Sequence, residues 1–294
     1  MKSGFLVIDK ESDFTSHDVV AIARKSLGER RVGHAGTLDP FATGVLVLGV
    51  GNGTRLLQYI TDGRKSYEAV IRLGARTTTD DLTGEVISSK PSELKEISDE
   101  MISQALAKQV GEIYQRPSTY SAIKVDGKRA YELARAGKEV KLQERRVSVF
   151  SIEIKEIVHG PELIDVTIGV ECSAGTYIRS IARDLGDALS AGGHLISLRR
   201  THVSTFSLTD AISIEELRHS PQLLSIDSAI SRLFLRRDLN EQEVASVSHG
   251  RSIDLHSEKD GKSAGFTPDG RFIALLAEKD GRAQPILVIS RIEP

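Results

Sequence analysis

A single carboxylate, Asp39, stands in a glycine-punctuated loop, GHAGTLDPFATG, which spans residues 33–44 and runs into the apolar segment GVLVLGV. Loops between rigid elements can hold a reactive group at the mouth of a cleft, although an isolated Asp-Pro turn is more often only structural. The sequence contains no phosphate-binding GxxxxGKS/T, zinc-protease HExxH or hydrolase GxSxG motif. Asp39 is therefore the candidate reactive group, and the familiar phosphate, zinc and hydrolase chemistries lack support.

Basic residues are concentrated between Gln115 and Arg146, where nine Lys or Arg residues stand against four acids. Residues 80–100 show the reverse balance, with seven acids and two lysines. The net charge of −2 gives no sign of a nucleic-acid partner, but this distribution fits a protein in which one face meets phosphate and another repels it. A solvated charged surface without a partner is an equally good interpretation of the charges alone.

Hydrophobic periodicity predicts the elements that must position the loop. A capping box at Thr15 and Asp18 marks the start of a helix. The predicted strands are GFLVID, GVLVLGV, YEAVIRL, RVSVFSIEIKEI and LIDVTIGVEC, and the predicted helices cover residues 102–110 and 176–191. Because helices and strands are interleaved while the late strands are adjacent, we expect an α+β fold with a mixed, mainly antiparallel sheet flanked by helices.

The sequence divides into two parts of unequal size. A polar stretch over residues 219–231 with a Ser-Pro pair predicts a connector, so we expect a large domain over 1–232 and a small one over 233–294. The second part has a short predicted helix from Asn240 to Ser248 and strands such as RFIALLAE and PILVIS. It is therefore expected to be a β-rich module.

Composition is that of a soluble globular protein, with 39% hydrophobic and 27% charged residues and a mean hydropathy of −0.18. No apolar run approaches the roughly 20 residues that span a bilayer, and the start, MKSGFLVIDKESDF, does not describe a signal peptide. We expect a cytoplasmic protein that does not associate with membranes. The lone cysteine, Cys172, excludes an internal disulfide and a multi-thiolate zinc site, and no cofactor or metal is expected.

Several long segments resemble the bacterial tRNA pseudouridine-55 synthases, the TruB family, in the family's order from residue 4 to about residue 206. They are DKESDFTSHDVV, RRVGHAGTLDPFATGVLVLGVG, KSYEAVIRLGARTTTDDLTGEV, RPSTYSAIKVDGKRAYELARAG, and CSAGTYIRSIARDLGDAL followed by GGHLISLRR. The first segment departs from the family, which usually has a Pro and a Gly where this chain has Glu11 and Asp13. This departure concerns a local turn and leaves the catalytic motif intact.

The resemblance implies isomerisation of one uridine, position 55 in the T loop of tRNA, to pseudouridine. The catalytic aspartate of the family's GTLDP motif falls on Asp39, and the tyrosine of the K-x-Y motif falls on Tyr67, where it would stack beneath the target base. The arginine of the GTYIR motif falls on Arg179, which would pair with Asp39 and keep it ionised. The chemistry needs no redox change, and a carboxylate can act as nucleophile or base or stabilise a cationic ribose. Attack at C6, attack at C1′ and a glycal route all remain open.

The resemblance also implies how the RNA is held. Tyr177 and Leu198 match positions that wall the flipped uracil, and His34 matches one that fills the space vacated in the RNA loop. Taking the nucleotide out of its stack costs a few kcal/mol, which basic side chains must offset. The basic stretch fits that task, with Lys124, Lys128 and Arg129 as expected contacts to the tRNA T stem-loop. The terminal module resembles a shortened PUA domain, and the protein is expected to act as a monomer without an obligate protein partner.

Two rival functions use the same features. An N-glycosidase would cleave the same bond with the same carboxylate and release free uracil. A non-catalytic RNA-binding protein would use the basic stretch and the terminal module, but it would have no need for Asp39, Tyr67 and Arg179 together.

Overall fold

The computed structural model describes residues 2–120, 124–125, 128–130, 142–256 and 261–289. Within these residues the strands are β1 (Gly4–Lys10), β2 (Val32–His34), β3 (Thr43–Val50), β4 (Lys65–Leu73), β5 (Ala75–Thr77), β6 (Val86–Ser89), β7 (Gly111–Gln115), β8 (Lys124–Val125), β9 (Lys128–Arg129), β10 (Arg145–His159), β11 (Ile164–Cys172), β12 (Gly193–Val203), β13 (Phe206–Ser207), β14 (Leu235–Asp238), β15 (Ile253–Asp254), β16 (Lys262–Phe266), β17 (Phe272–Lys279) and β18 (Arg282–Val288). The α-helices are α1 (Ser16–Leu27), α2 (Leu57–Thr61), α3 (Asp99–Ala107), α4 (Ile178–Ala188), α5 (Ile214–His219), α6 (Ile226–Leu233) and α7 (Glu241–Ser248).

Nine of the described strands form one mixed sheet in the order β1-β3-β12-β4-β11-β10-β7, with β2 added to β3 and β13 added to β12. The β3–β12 pair is parallel, and the other pairs of this sheet are antiparallel. A second sheet of five described strands, β14-β16-β17-β18-β15, is built from residues 235–288. The predicted α+β fold with a mainly antiparallel sheet and a β-rich C-terminal part is confirmed.

At β1 and β3 the large sheet is buried on both faces, which explains the nearly continuous apolar sequences of these two strands. Alternate side chains of β1 enter two different cores, with Leu6 in one and Phe5 in the other. Helices α1, α3, α4 and α5 cover the first face. Helix α6 and residues of the second sheet, including Phe266 and Phe272, pack against the other face.

Local sequence signals fix the ends of α1. The Thr15 hydroxyl accepts from the Asp18 amide at 3.1 Å while the Asp18 carboxylate accepts from the Thr15 amide at 2.8 Å, which is the predicted capping box. Gly28 ends the helix in the left-handed region at φ 66°. These two signals fix where α1 begins and ends, and its first residue, Ser16, bonds to Leu38 in the glycine-punctuated loop.

Some predicted elements differ from the structure. Helix α3 begins at Asp99 because the Ser98 hydroxyl caps it, three residues before the predicted start. Helix α4 begins at Ile178 because Tyr177 has extended backbone angles. The predicted polar connector over residues 219–231 contains most of α6, which buries Ala229 and Ile230. Among the described residues, no helix is long and apolar enough to cross a membrane.

Candidate active site

Asp39 lies in the loop between β2 and β3, and main-chain contacts hold this loop on the helix-covered face of the sheet. The Ser16 hydroxyl at the start of α1 accepts from the Leu38 amide at 2.9 Å and donates to the Leu38 carbonyl at 3.2 Å. The fully buried Lys10 ammonium donates to the Pro40 carbonyl at 3.1 Å. The residues on both sides of Asp39 are therefore fixed, which orients its carboxylate.

The Asp39 carboxylate meets Arg179, which projects from the first turn of α4. Arg179 Nη2 donates to Asp39 Oδ1 at 3.1 Å, and Nε lies 2.9 Å from Oδ2 as an ion-pair contact without hydrogen-bond alignment. The Arg179 side chain is only 4% exposed, whereas the Asp39 side chain is 32% exposed. The arginine thus lies behind the carboxylate, and the carboxylate faces the opening.

A second carboxylate, Asp81, shares the same guanidinium. Its Oδ2 lies 3.5 Å from Arg179 Nη1. Its Oδ1 accepts from the hydroxyls of Thr79 and Thr83, both at 2.6 Å. Asp81 is therefore a fixed, buried partner of Arg179, although it belongs to the acid-rich stretch that the sequence suggested as an RNA-repelling face. Asp80 is likewise not part of an exposed acidic surface, since it lies 3.4 Å from Arg183.

The start of the basic stretch is attached to the same arginine. Arg179 Nη2 donates to the Tyr120 carbonyl at 2.9 Å, and Nη1 donates to the Ser118 hydroxyl at 3.2 Å. Gln115, at the end of β7, makes a two-way amide pair with the Tyr177 backbone, donating at 3.0 Å and accepting at 2.8 Å. The start of the basic stretch is thus anchored to the first turn of α4.

Tyr67 and Leu198 lie on the helix-covered face of the sheet, on the neighbouring strands β4 and β12. Leu198 is opposite Ala69, two residues along from Tyr67, so both side chains point to the same face. Each side chain is buried, at 8% exposure for Tyr67 and 7% for Leu198. Together they form an apolar wall on the face that carries Asp39.

Burial controls the charge state of these groups. It raises the pKa of Asp39 above its usual range, Arg179 opposes the rise, and Asp81 adds to it. Burial also raises the pKa of Tyr67. The Asp39 carboxylate is therefore more basic than a free aspartate, which suits a nucleophile or a base.

His34 lies on β2, next to the opening of the loop. Its ring packs edge-on against His17 with 5.6 Å between centroids, and its buried Nδ1 has no hydrogen-bond partner among the residues that the structure describes. Burial first and His17 second lower the pKa of His34, which favours the neutral ring. Tyr177, which is expected to wall the flipped uracil together with Leu198, is half-buried at the N-cap of α4.

The basic stretch is described only in part. The backbones of Lys124, Lys128 and Arg129 form the two-stranded β8–β9 pair, in which Lys124 is opposite Arg129. Their side chains, and the whole of residues 131–141, lie outside the described residues. Their predicted contacts with RNA stay a prediction.

A cavity of about 530 Å³ lies between the β5–β6 hairpin and the start of the basic stretch. Arg183, which lines it, is one turn of α4 away from Arg179. Two of the arginines that line the cavity are paired with acids, since Arg183 contacts Asp80 and Asp184 while Arg76 contacts Asp187. The Asp39 loop is the candidate active site, because it places a partly exposed carboxylate on the sheet face that carries Tyr67 and Leu198. No group of His, Cys, Asp or Glu in the described part of the chain is arranged to hold a metal ion.

Sequence reasoning missed the supporting residues Asp81, Ser118 and Gln115, and also Arg200 on β12, which donates to the Gly36 carbonyl at 3.1 Å. Their partners are distant in the chain, as with Gln115 and Tyr177, so no local pattern marks them. The threonines around Asp81 in TTTDDLTG were a usable signal, because hydroxyl groups that flank an aspartate often fix its carboxylate.

Comparison with protein families gives matches along almost the whole chain. The TruB family pseudouridylate synthase N-terminal domain matches residues 24–178. The tRNA pseudouridylate synthase B C-terminal domain matches residues 179–237, and the tRNA pseudouridine synthase II C-terminal domain matches residues 234–290.

Individual relatives agree with these matches. The tRNA pseudouridine synthase B of Corynebacterium jeikeium (strain K411) is 46% identical, with 98% of this chain and 94% of the relative covered. That of Mycobacterium ulcerans (strain Agy99) is 47% identical, with 97% and 94% covered. Among solved structures, Cbf5 in a Cbf5-Nop10-Gar1 complex superposes with a TM-score of 0.71 at 26% identity, covering 98% of this chain and 85% of that chain.

Proposed function

This chain belongs to the TruB family of pseudouridylate synthases, an enzyme family that isomerises uridine to pseudouridine in tRNA, and we propose that its target is the uridine at position 55 in the T loop. The observation that carries the proposal is the partly exposed Asp39 carboxylate, held by the buried Arg179 on the sheet face that carries Tyr67 and Leu198. We propose Asp39 as the catalytic carboxylate.

The reaction breaks the N1–C1′ bond, forms a C5–C1′ bond, and exchanges a proton on C5 for a proton on N1. No electrons leave the substrate, so the reaction consumes no cofactor. Asp39 supplies either a covalent partner for the base or ribose or a base for a glycal route. Tyr67 stacks beneath the flipped uracil, while Leu198 and Tyr177 wall the ring and hold it during its rotation. His34 occupies the space that the flipped nucleotide leaves in the RNA loop.

The remaining parts hold the RNA. We propose that Lys124, Lys128 and Arg129 contact phosphates of the T stem-loop. Residues 233–294 act as a PUA-like RNA-binding domain beside a catalytic domain over residues 1–232. The protein works as a monomer in the cytoplasm, without an obligate protein partner or a metal ion.

Product analysis tests this function against its rivals. Purified protein is incubated with an unmodified tRNA transcript, with and without excess chelator, and the RNA is digested to nucleosides. We expect pseudouridine at one residue per tRNA, no free uracil, and no loss of activity on a T-loop hairpin with chelator. Free uracil would identify an N-glycosidase, and bound but unchanged RNA would identify a non-catalytic RNA-binding protein.

The raised pKa of Asp39 predicts the acid side of the pH profile. If the reaction needs the ionised carboxylate, the rate falls as pH drops through the pKa of this group, which burial holds above the pKa of a free aspartate. Single-turnover rates on a T-loop hairpin between pH 4 and pH 8 will show an acid limb above that value. A rate that stays constant down to pH 4 would contradict this assignment.

Charge reversal tests the basic stretch. We expect Lys128→Glu with Arg129→Glu to raise Kd for tRNA and to flatten its salt dependence by about one unit of slope per lost phosphate contact. Saturated kcat will fall less than affinity, because these side chains position the RNA. The exposed pair Lys95→Glu with Lys108→Glu is the control of equal charge change. An unchanged slope for the 128/129 variant would remove these residues from the RNA-binding surface.

A further inference from the structure

Arg200 on β12 is a buried cation that forms hydrogen bonds with backbone carbonyls. It is 1% exposed, and its charge is paired with no carboxylate in the described part of the chain. Its Nε donates to the Val45 carbonyl at 2.8 Å, Nη2 to the Gly36 carbonyl at 3.1 Å, and Nη1 to the Thr37 carbonyl at 3.4 Å. Burying a charge in this way is expensive, and an apolar side chain of similar size would pack here at lower cost.

The three carbonyls flank the proposed catalytic residue. Gly36 and Thr37 come just before Asp39, and Val45 lies just after the loop, where β3 enters the sheet. Strands β3 and β12 also pack closely at Gly44, where a Cβ would stand 2.2 Å from the Arg200 carbonyl oxygen. Gly44 has φ 101°, which favours glycine. The planar guanidinium, with its rigid set of donors, thus ties the start of the Asp39 loop to the beginning of β3.

Arg200 also lies directly opposite Tyr67 in the antiparallel β12–β4 pair. Residues in this relation point to the same face with their Cβ atoms about 5 Å apart. The guanidinium opposes the effect of burial on the pKa of Tyr67, which agrees with a position near the ring hydroxyl. One side chain therefore contacts the Asp39 loop and adjoins the proposed stacking ring.

We propose that Arg200 is a positioning residue that fixes the Asp39 loop relative to the Tyr67 ring, so that carboxylate and ring present a single geometry to the flipped uridine. This inference rests on the proposed roles of Asp39 and Tyr67. It explains why a charged side chain is kept at a fully buried position, because a methionine or leucine there could fill the volume without holding the loop.

Arg200→Lys, compared with Arg199→Lys, tests the proposal. Lys keeps the charge but cannot bond to Gly36, Thr37 and Val45 from one planar group. Arg199, the next residue, points to the opposite face of β12, where it contacts Asp9 at 2.6 Å and is partly exposed. For Arg200→Lys we expect a single-turnover rate about 10- to 100-fold lower, with Kd for tRNA within about 3-fold of the parent. For Arg199→Lys we expect rate and Kd both within about 3-fold.

Two further measurements separate positioning from general stability. The Leu38 amide donates to the Ser16 hydroxyl on α1, and the Ala42 amide donates to the Asp39 carbonyl within the loop. Exchange of these two amides should accelerate in Arg200→Lys and stay unchanged in Arg199→Lys. The double variant Arg200→Lys with Tyr67→Phe should lose less single-turnover rate than the product of the two single losses. Both substitutions disturb the same placement of the Tyr67 ring relative to the Asp39 loop. If Arg200→Lys does not fold, Arg200→Gln, which still donates to a loop carbonyl, takes its place in each measurement.

The outcomes distinguish this proposal from the proposed function. Failure of the parent protein to form pseudouridine would reject the function, whereas the ratio of each variant to an active parent tests Arg200. The proposal is overturned by a folded Arg200 variant with a parental rate, by unchanged loop exchange, or by strictly multiplicative losses with Tyr67→Phe. A loss of tRNA affinity equal to the loss of rate would likewise reject it, because Arg200 would then support RNA binding instead of catalytic geometry.

Discussion

Asp39→Asn is expected to abolish pseudouridine formation while leaving the fold and tRNA binding nearly unchanged. The substitution removes charge and basicity with little change in volume, and Arg179 keeps its contacts with Thr79, Ser118 and Tyr120. Loss of a catalytic carboxylate typically lowers a rate on the order of 10²- to 10⁴-fold. Single-turnover kinetics give the rate, filter binding gives Kd, and thermal unfolding verifies the fold.

Asp62→Asn is the matched control, because Asp62 is exposed and follows α2, outside the proposed active site and the proposed RNA-binding elements. It should retain parental rate and affinity. Residual activity of Asp39→Asn above about 1% of the parent would exclude Asp39 as the catalytic group. A rise in Kd for tRNA that fully accounts for the lost rate would assign Asp39 to RNA binding instead.

Arg179→Lys is expected to lower the rate by about 100-fold or more and to move the acid limb of the pH profile to higher pH. A lysine cannot reproduce the planar contacts that join Asp39, Ser118 and Tyr120. Because Arg179 opposes the upward effect of burial on the pKa of Asp39, weakening its contact lets that pKa rise further. The ionised form is then lost at a higher pH as the solution is acidified.

Arg183→Lys, one turn further along α4, separates this effect from general damage to the helix. Arg183 is also buried, but it contacts Asp80 and Asp184 and not Asp39. Its replacement should leave the position of the acid limb unchanged even if stability falls. An equal shift in both variants would show that the pKa of Asp39 responds to the helix and not to the Arg179 contact.

The sequence predicted those parts of the fold that depend on local pattern. The capping box at Thr15 and Asp18 identified the start of α1, and period-two apolar patterns identified β4, β10 and β11. The order of strands was not predictable in this way, because the parallel β3–β12 contact joins residues more than 150 positions apart. Helix α6 was missed because its polar residues suggested a connector, while only two of its side chains are buried.

The sequence predicted those site residues that a local motif or the family resemblance marks. It missed those whose role depends on contacts with residues distant in the chain. Asp39 stood out in its glycine-rich loop, and the family resemblance added Tyr67 and Arg179. Asp81 was grouped with exposed acids because sequence alone does not show burial, yet it lies 3.5 Å from Arg179. The charge of Asp81 is balanced by Arg179 because the loop between β5 and β6 packs against α4. No local sequence pattern encodes that contact.

The departure from the family's first motif has a local explanation. Asp13 adopts φ 68°, a left-handed conformation that glycine reaches without strain and that Asp tolerates better than most residues. Its amide donates to the Pro40 carbonyl at 2.9 Å, next to Asp39. An aspartate therefore supports a left-handed turn beside the Asp39 loop in this chain.

The position of the product tests the proposed function most directly. An unmodified tRNA transcript is incubated with the parent protein or with Asp39→Asn, and pseudouridine is mapped at single-nucleotide resolution along the whole RNA. We predict one pseudouridine, at position 55, with the parent protein and none with the variant. Pseudouridine at another position, or equal modification at position 55 by Asp39→Asn, would contradict the assignment of this site.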